Sequence, residues 1–368
     1  MRLRLLVGAI VLVATLLLLP RFLSDFAQDY AAARAWWRGL SPNSQTAAIL
    51  SECCADIAPL YGGMQTAHPP FATLLALPLG WLPWPAARLI WLALSWAALV
   101  GAWQIGRVSA WACAATGAFW VIALGLGTHE ALLFALLLLA LELDRPPLPE
   151  ESRPARRDWL VGGLVGLCAA IKVYPIVLIG GLLLARRYAA AAVALATGAA
   201  LTLLCELVLG FGTTLGWLRF TPINTNFYVD QIGNGSLVRL VRAVLPGAPA
   251  TPLALALLVL LALPLVPRLR RGDWLRPLVP VMLLGSPLSW RHYIGLAEID
   301  RLGRFEQAAL ALAGAAALLV GMQLLPPDNM APVVQGPLLL VLIWLWYRDS
   351  ARKLPAEPPA PAAEQHYS

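Results

Sequence analysis

The chain has 368 residues, of which 60% are hydrophobic and 13% charged, with a formal net charge of +7 and a mean hydropathy of +0.71. Soluble domains carry about 25% charged residues, so an ordinary water-soluble fold is excluded. Apolar windows long enough to cross a bilayer recur, and no alternating strand pattern supports a barrel, which leaves an all-α polytopic integral membrane protein. The basic residues cluster in short loops and at the tail, the pattern of cytoplasmic membrane loops rather than of a nucleic-acid surface.

The first segment, "MRLRLLVGAIVLVATLLLLP", has a basic start and an apolar core but no small-x-small cleavage site, and many spans follow it. It reads as an uncleaved helix with Arg2 and Arg4 in the cytoplasm. Apolar segments follow near 70–83, 86–106, 109–126, 129–143, 159–171, 173–186, 189–210, 251–267, 277–296, 306–325 and 334–347. Two long loops, 21–69 and 211–250, then face the outer side, and the Arg-bearing loops 144–157, 186–187 and 268–276 face the cytoplasm. Several segments hold only 13 to 15 residues. A straight span needs about 20, so some must be half-helices or re-entrant pairs lining a cavity. Residues 159–186 form either one helix kinked at Pro175 or, as we prefer, a hairpin with its tip at "IKVYP". Residues 1–347 read as one transmembrane domain, without a soluble domain or internal repeat, and the Pro/Ala-rich tail 348–368 as disordered. Cys113, Cys168 and Cys205 lie in apolar runs as small core residues, while Cys53 and Cys54 sit together in a polar loop.

Six stretches carry polar chemistry. In "SDFAQDYAAARAWWRGL", Asp25 and Asp29 lie one helical turn apart, followed by Tyr30. Either both solvate a helix start, where the backbone dipole favours acids, or a carboxylate at the membrane boundary acts as general base for a hydroxyl acceptor. The stretch 26–60, with Trp36 and Trp37, is expected to lie on the bilayer surface and cover a cavity. His68 precedes two prolines that stiffen the approach to the second span. Thr128, His129 and Glu130 interrupt a long apolar run, as a helix break lining a cavity would. Lys172 and Lys353 are the two lysines beside 25 arginines, and Lys172 stands in a neutral apolar segment. It either snorkels to an interface or supplies a point charge for a phosphate. Asn234 opens an N-G-S triplet, read as an incidental glycosylation match. Finally, "GSPLSWRHYIGL" brings Ser289, Trp290, Arg291, His292 and Tyr293 to the end of an apolar segment, as an interfacial anchor or as partners for phosphate or carboxylate. No carboxylate pair has a metal-like arrangement, so neither a metal nor a cofactor is expected.

The order of these motifs is more specific than any one of them. D-F-x-x-x-Y-x-A-A after the first span, P-P at the second, G-x-x-x-x-L-L in mid-chain, K-x-x-P, N-x-S-L, and S-P-x-S-W-x-H late in the chain together resemble glycosyltransferase family 87, from about residue 20 to 296. The resemblance implies a GT-C-like helical bundle, with broken or re-entrant short helices and interfacial helices in the first outer loop. It implies a membrane hexosyltransferase, mannosyltransferase-like, that takes a sugar from a polyprenyl-phosphate donor to a lipid or glycan acceptor with inversion. It implies a multi-pass protein of the bacterial inner membrane with its active site facing the periplasm, and no nucleic-acid partner. By motif match, Asp25 is the catalytic base, with Asp29 the weaker candidate. Lys172, Arg291 and His292 would bind the donor phosphate. Tyr30, His68, His129, Glu130, Asn234, Ser289 and Trp290 would line the cavity. The chain departs from the family where G-Q-x-N is replaced by Gly127, Thr128, His129 and Glu130, and where Gly39 is followed by Leu40 instead of P-Y.

The alternative readings are a multi-pass lipid or polyisoprenoid transporter or flippase, and a membrane subunit without chemistry. A transporter would show broken helices recurring in two corresponding halves, and no such symmetry is visible. A purely structural subunit has no use for an isolated intramembrane lysine.

Overall fold

A computed structural model of the chain describes residues 2–18, 24–43, 46–54, 66–144, 155–230, 234–286, 288–299 and 303–321. The segment 334–347 and the tail 348–368 lie outside the described residues. The described residues are almost wholly helical, and their β content is one isolated bridge, Asn234 to Trp290. This is an all-α membrane protein.

The chain opens with α1 (Arg2–Leu18), α2 (Ser24–Trp37), α3 (Thr46–Cys53) and α4 (Pro70–Gly80). Then come α5 (Trp84–Ile105), α6 (Ala110–Leu126), α7 (Glu130–Leu143) and α8 (Ala155–Ile171). A 3₁₀ turn, Tyr174–Ile176, leads into α9 (Val177–Leu184), followed by α10 (Tyr188–Leu209), α11 (Thr213–Tyr228) and α12 (Leu237–Val244). Next, α13 (Ala250–Ala262), a 3₁₀ turn and α14 (Val266–Arg270) run on as one rod, before α15 (Leu278–Gly285), a 3₁₀ helix (Arg291–Ile299) and α16 (Arg304–Gly321). Helices α5 and α10 and the rod 250–270 are long and apolar enough to cross a membrane. The last two expose most of their length, as lipid-facing helices do, with Leu203, Leu207, Val259 and Leu260 outward. Helix α1 sorts its side chains the same way: Leu6, Ile10, Val13 and Leu17 face out, while Gly8, Val11 and Thr15 turn inward.

The charges divide the bundle into two ends. Arg4 donates to Gln104 at the end of α5, and Gly106 there packs on Leu138 near the end of α7. Just beyond, Arg187 holds both Asp144 and Asp158, and Trp274 also donates to Asp144. The Arg-bearing loops therefore gather at one end. The pairing of Asp158, in the first turn of α8, with Arg187, just after α9, means that the chain turns back between them. Residues 159–186 are thus the hairpin, its tip at Lys172 and Val173. Pro175, with no amide hydrogen to give, ends the helix there.

Two expectations change. Helix α2 does not lie as a surface cover: Phe26, Ala27, Tyr30, Ala31, Ala32, Ala33 and Ala35 are fully buried. Its alanine strip permits this, because a Cβ on Gly80 of α4 would come within 2.9 Å of Ala33 Cβ. The expected span 277–296 is instead broken after Gly285, so that α15 and the later 3₁₀ helix are separate pieces. The second outer loop contains α11 and α12, which the sequence reading left unassigned.

The hairpin is locked by small residues. Gly162 and Gly166 of α8 lie against the backbone carbonyls of Ala190 and Ala194 in α10, with no room for a Cβ at either glycine. Such small-xxx-small contacts let helices approach where lipid offers no hydrophobic drive. Gly166→Val should push α8 off α10 and lower the midpoint of thermal unfolding in detergent by several degrees. Gly163→Ala, where nothing lies within 4 Å of the added carbon, should leave it unchanged.

Candidate active site

At the end opposite the arginine cluster, a cavity of about 900 Å³ opens between α2, the hairpin tip, α11 and the 290s. Asp25, His68, Lys172, Tyr228, His292 and Tyr293 all line it. A second, mainly apolar groove of about 290 Å³ adjoins it through Pro69, Val173, Ile176 and Trp217.

Each polar group is presented by a local break in helix. His68 stands before Pro69 and Pro70, where the chain must be extended, and Pro70 then starts α4 without needing an amide donor. Lys172 follows the last residue of α8, with its own amide still bonded to Cys168 O. Gly127 ends α6 in the left-handed conformation, φ 71°, which leaves His129 and Glu130 to begin α7. Trp91 seals this break by donating to Gly127 O at 2.8 Å.

These breaks converge on Lys172. Its ammonium donates to Tyr293 Oη at 3.1 Å and to His68 Nε2 at 3.2 Å, and lies 3.5 Å from Glu130 Oε1. An ammonium can only donate, so His68 Nε2 accepts, and the ring proton is on Nδ1. Nδ1 then donates to Asp29 Oδ2 at 2.8 Å. Thr66 Oγ1 donates to the other Asp29 oxygen at 3.4 Å, and His129 Nε2 lies 3.6 Å from Asp29 Oδ2. Asp29 is fully buried behind the cavity wall, whereas Asp25, one turn earlier, is half-buried and faces the cavity.

Of the residues expected at the site, the fold brings Asp25, His68, Lys172, Trp290 and His292 to the cavity surface. Arg291 starts the 3₁₀ helix, and its side chain lies outside the described set. His129 and Glu130 are buried immediately behind the wall, holding Asp29 and Lys172. Tyr30 is displaced from the expected lining: it donates to Leu82 O and packs on Phe26 and Trp84, an anchor for α2. Asn234 and Ser289 are likewise structural. Asn234 Oδ1 accepts from the amides of both Ser236 and Ser289, which ties the N-x-S-L motif to S-P-x-S-W. Unforeseen lining residues are Gln28 and the α11 side chains Trp217, Thr221, Asn224 and Tyr228. The polar residues of "FTPINTNFY" were the available signal.

Residues 67–290 match the family description Glycosyltransferase family 87. The chain belongs to glycosyltransferase family 87. It is 30% identical over 246 residues to the polyprenol-phosphate-mannose-dependent alpha-(1-2)-phosphatidylinositol pentamannoside mannosyltransferase of Mycobacterium tuberculosis, covering 61% of this chain and 55% of that relative. The chain thus spans about half the length of the curated relative it matches. No solved structure matches. The family match takes in His68, His129, Glu130, Lys172, Asn234, Ser289 and Trp290, while Asp25, Asp29, Arg291 and His292 fall outside it.

Breaking a buried ion pair by removing one partner costs about 3–5 kcal/mol, because the other charge is left uncompensated. Lys172→Met and Glu130→Gln should therefore each destabilise the protein strongly. The double variant should lose clearly less than the two losses added, which a double-mutant cycle on detergent unfolding measures.

Proposed function

We propose that the chain is a membrane glycosyltransferase that moves a hexose from a polyprenyl-phosphate donor to a lipid or glycan acceptor, with inversion. The observation that supports this reading is that Asp25 and Lys172, a carboxyl and an ammonium, both line one cavity of about 900 Å³, where we assign them as base and phosphate-binding cation. Ligand pockets run from about 300 to 1,000 Å³, so a sugar phosphate and an acceptor hydroxyl fit together. The donor preferred for the test is a polyprenyl-phosphate mannose, by likeness to the relative's printed name. The adjoining apolar groove suits its prenyl chain. The arginine-rich end is assigned to the cytoplasm, which puts the cavity on the periplasmic side of a bacterial inner membrane.

In the transfer, the acceptor oxygen attacks the anomeric carbon while the bond from that carbon to the phosphate oxygen breaks. Asp25 takes the hydroxyl proton, and the departing polyprenyl phosphate keeps the electron pair. Its growing negative charge is met by Lys172, already held by Tyr293 and Glu130, with His292 on the same cavity wall. Asp29 supports the site through His68 without reaching the cavity surface.

General-base catalysis is worth about 10² to 10⁴-fold. In a transfer assay with radiolabelled polyprenyl-phosphate mannose, Asp25→Asn should lose activity by that order while the folded yield is kept. Lys172→Arg should recover only part of what Lys172→Ala loses, because a planar guanidinium replaces a point charge. Full activity in Asp25→Asn overturns the assignment of the base. Full activity in Lys172→Ala overturns the phosphate site.

The assigned orientation has its own test. Single cysteines at Asn43 and Asn226, in a background lacking the five native thiols, should react with an impermeant maleimide in intact spheroplasts. Protection of both overturns the periplasmic cavity.

A further inference from the structure

At and behind the cavity wall stands a constellation that makes or breaks no bond in the transfer chemistry, with His68 on the wall and Asp29 and His129 behind it. We propose that Asp29, His68 and His129 bind a divalent transition metal of the zinc class, one ion per chain. The inference does not rest on the transfer reaction.

Three observations carry it. First, Asp29, His68 and His129 each offer one ligand atom within 4.8 Å of the other two, and Asp29 Oδ2 lies 2.8 Å from His68 Nδ1 and 3.6 Å from His129 Nε2. Ligand atoms about 2.1 Å from a tetrahedral ion stand about 3.4 Å apart, so small side-chain adjustments complete the site. Second, His129 is 1% exposed, and neither of its ring nitrogens has a hydrogen-bond partner among the described residues. A buried imidazole without a partner costs free energy, and a metal on Nε2 gives it one. Third, the described side chains around Asp25 set three acidic groups, Asp25, Asp29 and Glu130, beside one ammonium, Lys172. A cation at Asp29 favours the ionised form of this acidic cluster. Two imidazoles and a carboxylate form a nitrogen-rich donor set that suits zinc, iron or cobalt over magnesium or calcium. Thr66 already orients the second oxygen of Asp29, as outer partners of metal ligands do.

One consequence distinguishes this site from a mere polar cluster. Without metal, Lys172 donates to His68 Nε2 and the ring proton sits on Nδ1, facing Asp29. Metal on Nδ1 moves that proton to Nε2, with no net proton released. Lys172 then loses this acceptor, while keeping Tyr293 and Glu130. The ammonium and the metal oppose each other across one ring, so removing the ammonium should tighten metal binding.

The test uses the full chain purified in detergent with a histidine-free tag, stripped with chelator, incubated with Zn²⁺ and desalted. Elemental analysis should find one zinc per chain in the wild type and almost none in His129→Ala or Asp29→Asn. Lys172→Met should retain zinc against a competing chelator at higher concentration than the wild type tolerates. Size-exclusion elution checks that His129→Ala folds. If it fails, cobalt decides on the wild type alone: the intense visible band of four- or five-coordinate Co²⁺ supports the site. The weak spectrum of hydrated octahedral ion overturns it. A wild type without stoichiometric zinc, or a folded His129→Ala that keeps the full equivalent, overturns it too.

Discussion

The organising constraint is the burial of one ammonium group. Lys172 is 5% exposed, and a charge in that position persists only if it is paired and hydrogen-bonded. Its partners come from widely separated parts of the chain: His68 ahead of α4, Glu130 at the start of α7 and Tyr293 in the late 3₁₀ helix. Each stands at or beside an end of regular helix. The proline pair at 69–70, the left-handed Gly127, the break at Pro175 and the interruption after Gly285 let these ends meet at Lys172. In lipid such breaks are tolerated only where protein or a cavity covers the freed backbone, and all four lie at the cavity end of the bundle.

Small residues make this convergence possible. The alanine strip of α2 lets a helix bearing two carboxylates pass through the bundle, close against α4, instead of lying over it. Gly162 and Gly166 let α8 approach α10 at backbone distance, so the hairpin that carries Lys172 is held along its length rather than only at its ends. At the opposite end, Arg187 bridges Asp144 and Asp158 and closes the base of the hairpin. One electrostatic anchor thus sits at each end of the re-entrant pair, and the upper one opens to the cavity.

Much of this was legible in the sequence because each informative residue was out of place locally. A lone lysine among arginines, a polar triplet inside an apolar run and two acids just past the first span are anomalies that composition exposes. The hairpin was legible because its halves are too short to cross a bilayer and both flanks carry arginine. What escaped depended on distance or on face. His68 is 39 residues from Asp29 in sequence, and no spacing rule links them or His129. Tyr30 shares a motif with Asp25, which points to the cavity, yet the helix turns it toward Trp84 and Leu82. Helix α11 was missed because Thr221, Asn224 and Tyr228, which face the cavity, are polar where a helix-packing face would be apolar. The span expected over 277–296 was a count of apolar residues that ignored the break at Ser286.

The proposed transfer requires a base and a phosphate-binding cation on opposite sides of the sugar. An experimental structure of the full chain with a non-transferable polyprenyl-phosphate sugar analogue measures that arrangement directly. The expected result is the phosphate in hydrogen-bonding contact with Lys172, the prenyl chain leaving past Val173 and Ile176, and the anomeric carbon between the phosphate and Asp25. A phosphate bound away from Lys172, or Asp25 on the same side of the sugar as the phosphate, would contradict it.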